Sequence, residues 1–235
     1  MFELFSSDRT VNIVLEPSAD EAVALAARDL QRDLLAVSGK SEGFDITESA
    51  TAPAIVIKTD RACAAGFPEG YTVRVSEQGI SVVGYDVLGT IYGIYAISAQ
   101  YLGIDPLYYF TDIAPKMHAQ LALPDGELVA SERSCRFRGW FINDEDFLSG
   151  YAPSGAVRDV GKNTRFFREI ISVPMMDRIY EAVLRLGYNL IIPASYLDIL
   201  NPADDAIVKA AVERGLYVSQ HHQEPVGVEI GRAHV

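Results

Sequence analysis

A chain of 235 residues, 49% apolar and carrying 12 Tyr and 10 Phe, can bury a core in one large domain or two smaller ones, which argues against global disorder. Its formal charge of -12, from 32 acidic against 20 basic residues, repels a phosphate backbone and argues against nucleic acid as a partner. Two cysteines, Cys63 and Cys135, without a CxxC spacing do not make a disulfide framework or a zinc knuckle, and no apolar run is long enough to span a bilayer.

From the amino terminus, MFELFSSDRT lacks a basic segment followed by an apolar one, so a cytoplasmic location is the default expectation. VNIVLE (11–16) reads as a strand. The following helix has Ser18 and Glu21 at capping-box spacing, an apolar stripe at Val23, Ala26, Leu30 and Leu34, and Gly39 as its stop. APAIVIKT (52–59) is a second strand. YTVRVSE (71–77) and ISVVGY (80–85), separated by Gln78-Gly79, predict a hairpin. Leu88 to Leu102 reads as an apolar helix whose Gly89 and Gly93 let it lie close to a sheet, although each glycine lowers helix propensity. The pattern is a mixed sheet with helices on one side, and no glycine-rich phosphate loop follows its first strand.

A link, GIDPLYYFTDIAP (103–115), is aromatic and turn-rich, and QLALPDGELVAS (120–131) reads as a short strand and a turn. Tyr108, Tyr109 and Phe110 suit either packing between regions or stacking on a sugar face. The fold class expected is α/β: a mixed-sheet α/β amino-terminal domain over 1–125, then a series of βα units over 126–235.

The second region alternates strand and helix. CRFRGWFIN (135–143) is a strand. In SVPMMDRIYEAVLRLG (172–187), Ser172 caps a helix, Pro174 suits its first turn, and Met176, Ile179, Val183 and Leu186 form the stripe. YNLIIPAS (188–195) has the continuous apolar centre of a strand covered on both faces. Asn201-Pro202-Ala203-Asp204 opens a helix that stops at Gly215, and LYVSQHHQEP (216–225) is a third strand. Such a series predicts parallel strands, whose carboxyl ends form the usual active-site edge. Each strand here runs from apolar into polar residues at that end: Asn143-Asp144-Glu145, Pro193-Ala194-Ser195-Tyr196, and His221-His222-Gln223-Glu224.

Carboxylates at such ends suit sugar hydrolysis, where a pair roughly 5–5.5 Å or 6.5–9.5 Å apart supplies acid, base or nucleophile. Asp144 and Asp146 share one strand face and Glu145 takes the other. The same run also suits a solvated loop. His221 and His222 point to opposite faces, so a two-histidine metal site is awkward, and no HExxH accompanies them. One could bond a sugar hydroxyl or carry a proton while the other fills the core. Glu224 before Pro225 is held extended. Lys162, Arg165 and Arg168 follow a long loop (149–163) that suits a lid; they could receive a carboxylated sugar or form a solvated helix face. Neither a GxSxG elbow nor a Cys beside a His is present.

FRGWFINDED, YNLIIPA and SQHHQEPVG together resemble glycoside hydrolases of family 115, the xylan α-1,2-glucuronidases. The likeness runs along nearly the whole chain. It implies an amino-terminal non-catalytic domain, a (β/α)8 barrel, no cofactor or metal, and a substrate carrying glucuronic or 4-O-methylglucuronic acid branches. It also implies a sugar pocket shaped by Asn143, Asp144, Glu145, His221, His222 and Glu224, with acid and base drawn from later strands. Three βα units do not close a barrel that takes about 250 residues. A chain of this length is therefore expected to act as an incomplete hydrolase, inactive alone. A carbohydrate-binding module, or a structural protein hiding its open sheet edge in a homo-oligomer, are the alternatives.

Overall fold

A computed structural model of the chain describes residues 1–49, 51–143, 155–157, 169–195, 197 and 199–221. Two compact units divide it, Met1–Ser134 and Cys135–Val235. Among the described residues no helix is long and apolar enough to cross a membrane.

The first unit is built on a six-stranded mixed sheet. Strands β2 (Ile13–Leu15), β3 (Ile46–Thr47), β4 (Ala54–Thr59), β5 (Tyr71–Ser76), β6 (Gly79–Gly84) and β8 (Gly126–Val129) lie in the order β3-β2-β4-β6-β5-β8. β3, β2, β4 and β6 run parallel, and β5 pairs antiparallel with both β6 and β8. Helices α1 (Glu21–Ser38) and α2 (Val87–Gln100) pack on this sheet and on each other. Period-two alternation assigns the faces. Val73 and Val75, opposite Val82 and Ile80, are buried, while Arg74 meets exposed Ser81 and bonds Glu127 at 2.8 Å on the outer face.

Glycines decide how close the layers come. A Cβ on Gly89 would fall 2.2 Å from Gly70 O, and one on Gly93 2.7 Å from a Val82 methyl, so α2 sits directly on β5 and β6. Gly79 is doubly constrained: its φ is +129°, and a Cβ would fall 2.1 Å from Ala54 O. The hairpin turn is therefore Glu77-Gln78, with Gly79 paired to Ser76 as the first residue of β6, one position from the Gln78-Gly79 turn that the sequence suggested.

Other differences are local. Asp20, not Ser18, caps α1, accepting from Ala22 N at 2.9 Å, because Ser18 lies too far before the first turn. Gly39 ends α1 at φ +67°. Three strands of this unit were not anticipated: β1 (Phe2–Phe5), antiparallel to β7 (Leu121–Leu123), the two-residue β3 parallel to β2, and β8, which completes the sheet edge. Phe2, Leu4 and Phe5 are nonetheless buried, and the Phe5 and Phe44 rings meet edge-on at 6.0 Å. The link aromatics form the short helix α3 (Tyr108–Thr111), where the Arg32 guanidinium lies 5.9 Å from the Tyr108 ring. Arg32 in turn bonds buried Asp29 at 2.9 Å, and Asp29 accepts the Tyr95 hydroxyl at 2.7 Å, joining α1 to α2.

In the second unit, β9 (Gly139–Phe141), β12 (Leu190–Ile192) and β13 (Tyr217–Val218) form a parallel sheet with β12 in the middle. β10 (Gly155–Val157) and β11 (Glu169–Ile171) form an antiparallel pair, so the stretch read as a continuous loop contains a strand. Helices α4 (Val173–Arg185) and α5 (Pro202–Glu213) connect the parallel strands. Asn201 caps α5, accepting from Ala203 N at 3.2 Å, with Pro202 in the first turn. Ser172 occupies the α4 cap position, but its hydroxyl makes no cap bond. The buried stripe of α4 runs through Met176, Ile179, Tyr180 and Val183, while Leu186, placed on it by the sequence pattern, follows the last turn and is 37% exposed.

The two helices are joined by polar contacts. Buried Arg214 forms an ion pair with Asp177, whose second bond measures 2.8 Å. The buried Tyr180 hydroxyl donates to Ile207 O at 3.1 Å. Burial, reinforced by the Asp177 charge, raises the Tyr180 phenol pKa above its ordinary value of 10.0.

At the amino-terminal end of the parallel sheet, Asn189 is fully buried. Its Oδ1 accepts from Arg138 N at 2.9 Å and its Nδ2 donates to Arg136 O at 2.7 Å, stitching β12 to the entry of β9. Gly139 follows at once; a Cβ there would lie 2.3 Å from Leu190 O.

Three outcomes test this account. Gly79→Ala should cost about 3 kcal/mol or more, from backbone strain and overpacking of about 1–3 kcal/mol each. Hydrogen exchange should show the loss over β4, β5 and β6. Asn189→Ala removes the acceptor of Arg138 N, while Arg136 O keeps the Arg138 guanidinium at 3.3 Å, and should cost about 1–3 kcal/mol. Exchange should rise in residues 136–141 while the first unit stays protected. The raised Tyr180 pKa gives stability that is complete below pH 10.0 and declines above it, where the unfolded chain releases the proton first. Tyr180→Phe should therefore flatten the alkaline fall of the thermal midpoint.

Candidate functional site

The in-register pairing of the parallel sheet fixes which side chains share a face. Gly139, Leu190 and Tyr217 are level, as are Trp140, Ile191 and Val218, then Phe141 and Ile192. Ile191 is fully buried on the face that α4 and α5 cover. Phe141 lies on the other face and is 39% exposed. Two bonds extend the ladder toward the carboxyl ends, from Ile142 N to Ile192 O at 2.9 Å and from Ser219 N to Ile191 O at 3.0 Å.

At that edge polar side chains replace the apolar run. The Ser195 hydroxyl, just past β12, lies 2.9 Å from Asn143 O and 3.2 Å from Asn143 Oδ1, and donates to them. The His221 ring, three residues past β13, stacks on Phe141 with centroids 5.0 Å apart and planes inclined by 22°. Bonds to Ser195 and stacking on Phe141 thus tie the ends of all three strands into one rim. It offers an amide, a hydroxyl and an imidazole beside an aromatic surface. Those groups can bond sugar hydroxyls or a carboxylate and pack against a pyranose face.

Of the six residues singled out from sequence, Asn143 and His221 are brought to this rim. Asp144, Glu145, His222 and Glu224 lie outside the described residues, as do Asp146, Lys162, Arg165, Arg168 and Tyr196. Two rim residues were not among the six. Phe141 is two positions before Asn143, on the same face by strand periodicity, and that spacing was the available signal. Ser195 was visible as a polar strand end, but nothing in the sequence pairs it with Asn143. Among the described residues no three His, Cys, Asp or Glu side chains gather as a metal site.

The strands that carry the rim fall within a match to the model of Glycosyl hydrolase family 115 over residues 130–234. A solved family 115 4-O-methyl-α-glucuronidase, described as specific for decorated arabinogalactans, is 25% identical with a TM-score of 0.76 over 94% of this chain and 30% of its own. The fold alone is similar to a Flavobacterium johnsoniae chitobiase of family GH20, at 17% identity and TM-score 0.56, covering 93% of this chain and 32% of that one. It is likewise similar to a Streptomyces plicatus β-hexosaminidase, at 13% identity and TM-score 0.57, covering 93% of this chain and 42% of that one. The chain thus spans well under half the length of these solved relatives. No curated protein sequence matches it. The expected likeness to family 115 is met in the segment that builds the rim, which matches the family model, and in the fold of the chain, which is similar to that of a solved family 115 enzyme.

Proposed function

We propose that the second unit binds a glucuronic acid branch of a plant polysaccharide at the rim formed by Asn143, Ser195, Phe141 and His221. The observation that carries this reading is the stacking of His221 on Phe141 beside the Ser195–Asn143 bond, at the carboxyl edge of three parallel strands. Parallel α/β folds bind ligands at that edge. The family relation supplies the ligand class. Asp144, Glu145, His222 and Glu224, next in sequence to the rim, are proposed to complete the pocket.

The first unit, Met1–Ser134, is proposed as the non-catalytic partner domain. Binding without turnover is proposed for the 235-residue chain alone. Hydrolysis needs a proton donor and a second carboxylate held at a defined separation. The family resemblance draws that acid and base from later strands. A xylan main chain is proposed from the resemblance of the barrel motifs. The solved relative's preference for decorated arabinogalactans makes that polymer the natural comparison.

Calorimetric titration with aldouronic acid and with a glucuronic-acid-bearing arabinogalactan fragment tests the reading, alongside an assay for released uronic acid. Binding to the first, weaker binding to the second and no release are expected. Asn143→Ala and His221→Ala should each weaken binding about tenfold or more, since a hydrogen bond to a charged group contributes about 1.5–3 kcal/mol. Absence of binding at millimolar ligand would remove the proposed site, and release above background would remove the claim of no turnover.

A further inference from the structure

Ser195 holds a position from which it can choose what Asn143 shows to a ligand. Its hydroxyl proton is shared between Asn143 O at 2.9 Å and Asn143 Oδ1 at 3.2 Å, a three-centre bond that closes across the ends of β9 and β12. The side-chain oxygen of Asn143 is thereby engaged by Ser195. Its Nδ2 carries two N–H donors, and no described residue accepts from it. An asparagine amide has a broad, two-fold torsional preference, so without an anchor both orientations are populated. One offers donors to an anion, and the other presents an oxygen that repels it.

The basic residues nearest β9 do not perform this task. Arg136 and Arg138 precede the strand, at its opposite end. The Arg138 guanidinium donates to Gly187 O at 3.0 Å and Cys135 O at 2.7 Å, and Arg136 lies over the Phe137 ring. Among the described residues of the rim, Asn143 Nδ2 is therefore the donor that Ser195 orients.

We propose that Ser195 is a positioning residue that fixes the Asn143 amide as a donor to the carboxylate of the sugar, and so sets a preference for uronic acids over neutral sugars. This rests on the reading of the rim as a sugar site and adds its basis for charge selection. The hydroxyl touches Asn143 and acts through it.

Side-chain amide NMR of the 235-residue chain, with the Asn143 pair identified by its absence in Asn143→Asp, tests the proposal in two ways. In the free protein, the two Asn143 amide protons should be well separated in the wild type. They should move toward averaged positions in Ser195→Ala and return in Ser195→Thr. On titration with glucuronic acid and, separately, glucose, the wild type should favour glucuronic acid. Ser195→Ala should lose about tenfold in glucuronic acid affinity with less than a twofold change for glucose, and Ser195→Thr should restore it.

Equal losses for both sugars would reduce Ser195 to a structural support and overturn the proposal. So would an unchanged glucuronic acid affinity in Ser195→Ala, with the wild-type site intact. A wild type that prefers glucose would mean that Asn143 presents its oxygen outward, and would also overturn it. A wild type that binds neither sugar would sink the sugar-site reading and this inference with it. Circular dichroism and the thermal midpoint of each variant separate a lost fold from a lost contact.

Discussion

Everything at the rim depends on the parity of the parallel sheet. A strand offers alternate residues to opposite faces, so a slip of one position in β9 would exchange the set that faces the helices with the set that faces outward. Phe141 and Asn143 would then turn under the helices, and Trp140 and Ile142 would take the rim. The buried Asn189 opposes such a slip. Its amide uses both ends on main-chain groups of residues 136 and 138, and those groups exist in the right spacing in one register. Gly139 reinforces it, because no other residue fits against Leu190 O at that level. Order at the amino-terminal end of the sheet thus fixes chemistry at the carboxyl end, from Gly139 to Asn143 on one strand and from Asn189 to Ser195 on the next.

The first unit applies a related principle through close approach. Its helical layer reaches the sheet because Gly89 and Gly93 remove side chains where backbone and methyl groups would collide. Helix propensity alone disfavours both residues. The gain is an α2 whose apolar residues, Ile91, Ile94 and Ile97, are fully buried. The buried Asp29 carboxylate is met within the unit by the Tyr95 hydroxyl and the Arg32 guanidinium, as a buried charged group requires.

Much of this was legible in the residues. The alternation of Val73, Val75, Ile80 and Val82 gives the hairpin, and the apolar run of Leu190–Ile192 between two helical stripes gives the parallel order. What escaped reading has physical causes. β1 and β8 are short strands without a long alternating pattern, and their pairing is settled by distant partners such as Leu123 and Val73. Asp20 displaced Ser18 as a cap because both are good capping residues, and only the path of the chain decides between them. At the rim, the strand ends exposed Asn143 and His221 as candidates. The Phe141–His221 stack and the Ser195–Asn143 bond join residues 80 and 52 positions apart, which no local pattern encodes.

The acidity of the chain and the anionic ligand proposed for it are compatible once distance is considered. A formal charge of -12 spread over the surface acts weakly on a bound carboxylate, since charges beyond about 8–10 Å are largely screened at ordinary ionic strength. What decides the interaction is the group within hydrogen-bonding reach. There a neutral amide has an advantage over a lysine or arginine: it contributes donors without a competing pull toward the many surface carboxylates. It also has a weakness, because the same amide turned over becomes an acceptor. A site that recognises an anion through an asparagine therefore needs a second residue to hold that asparagine still, and the hydroxyl at the end of the neighbouring strand is placed to do so.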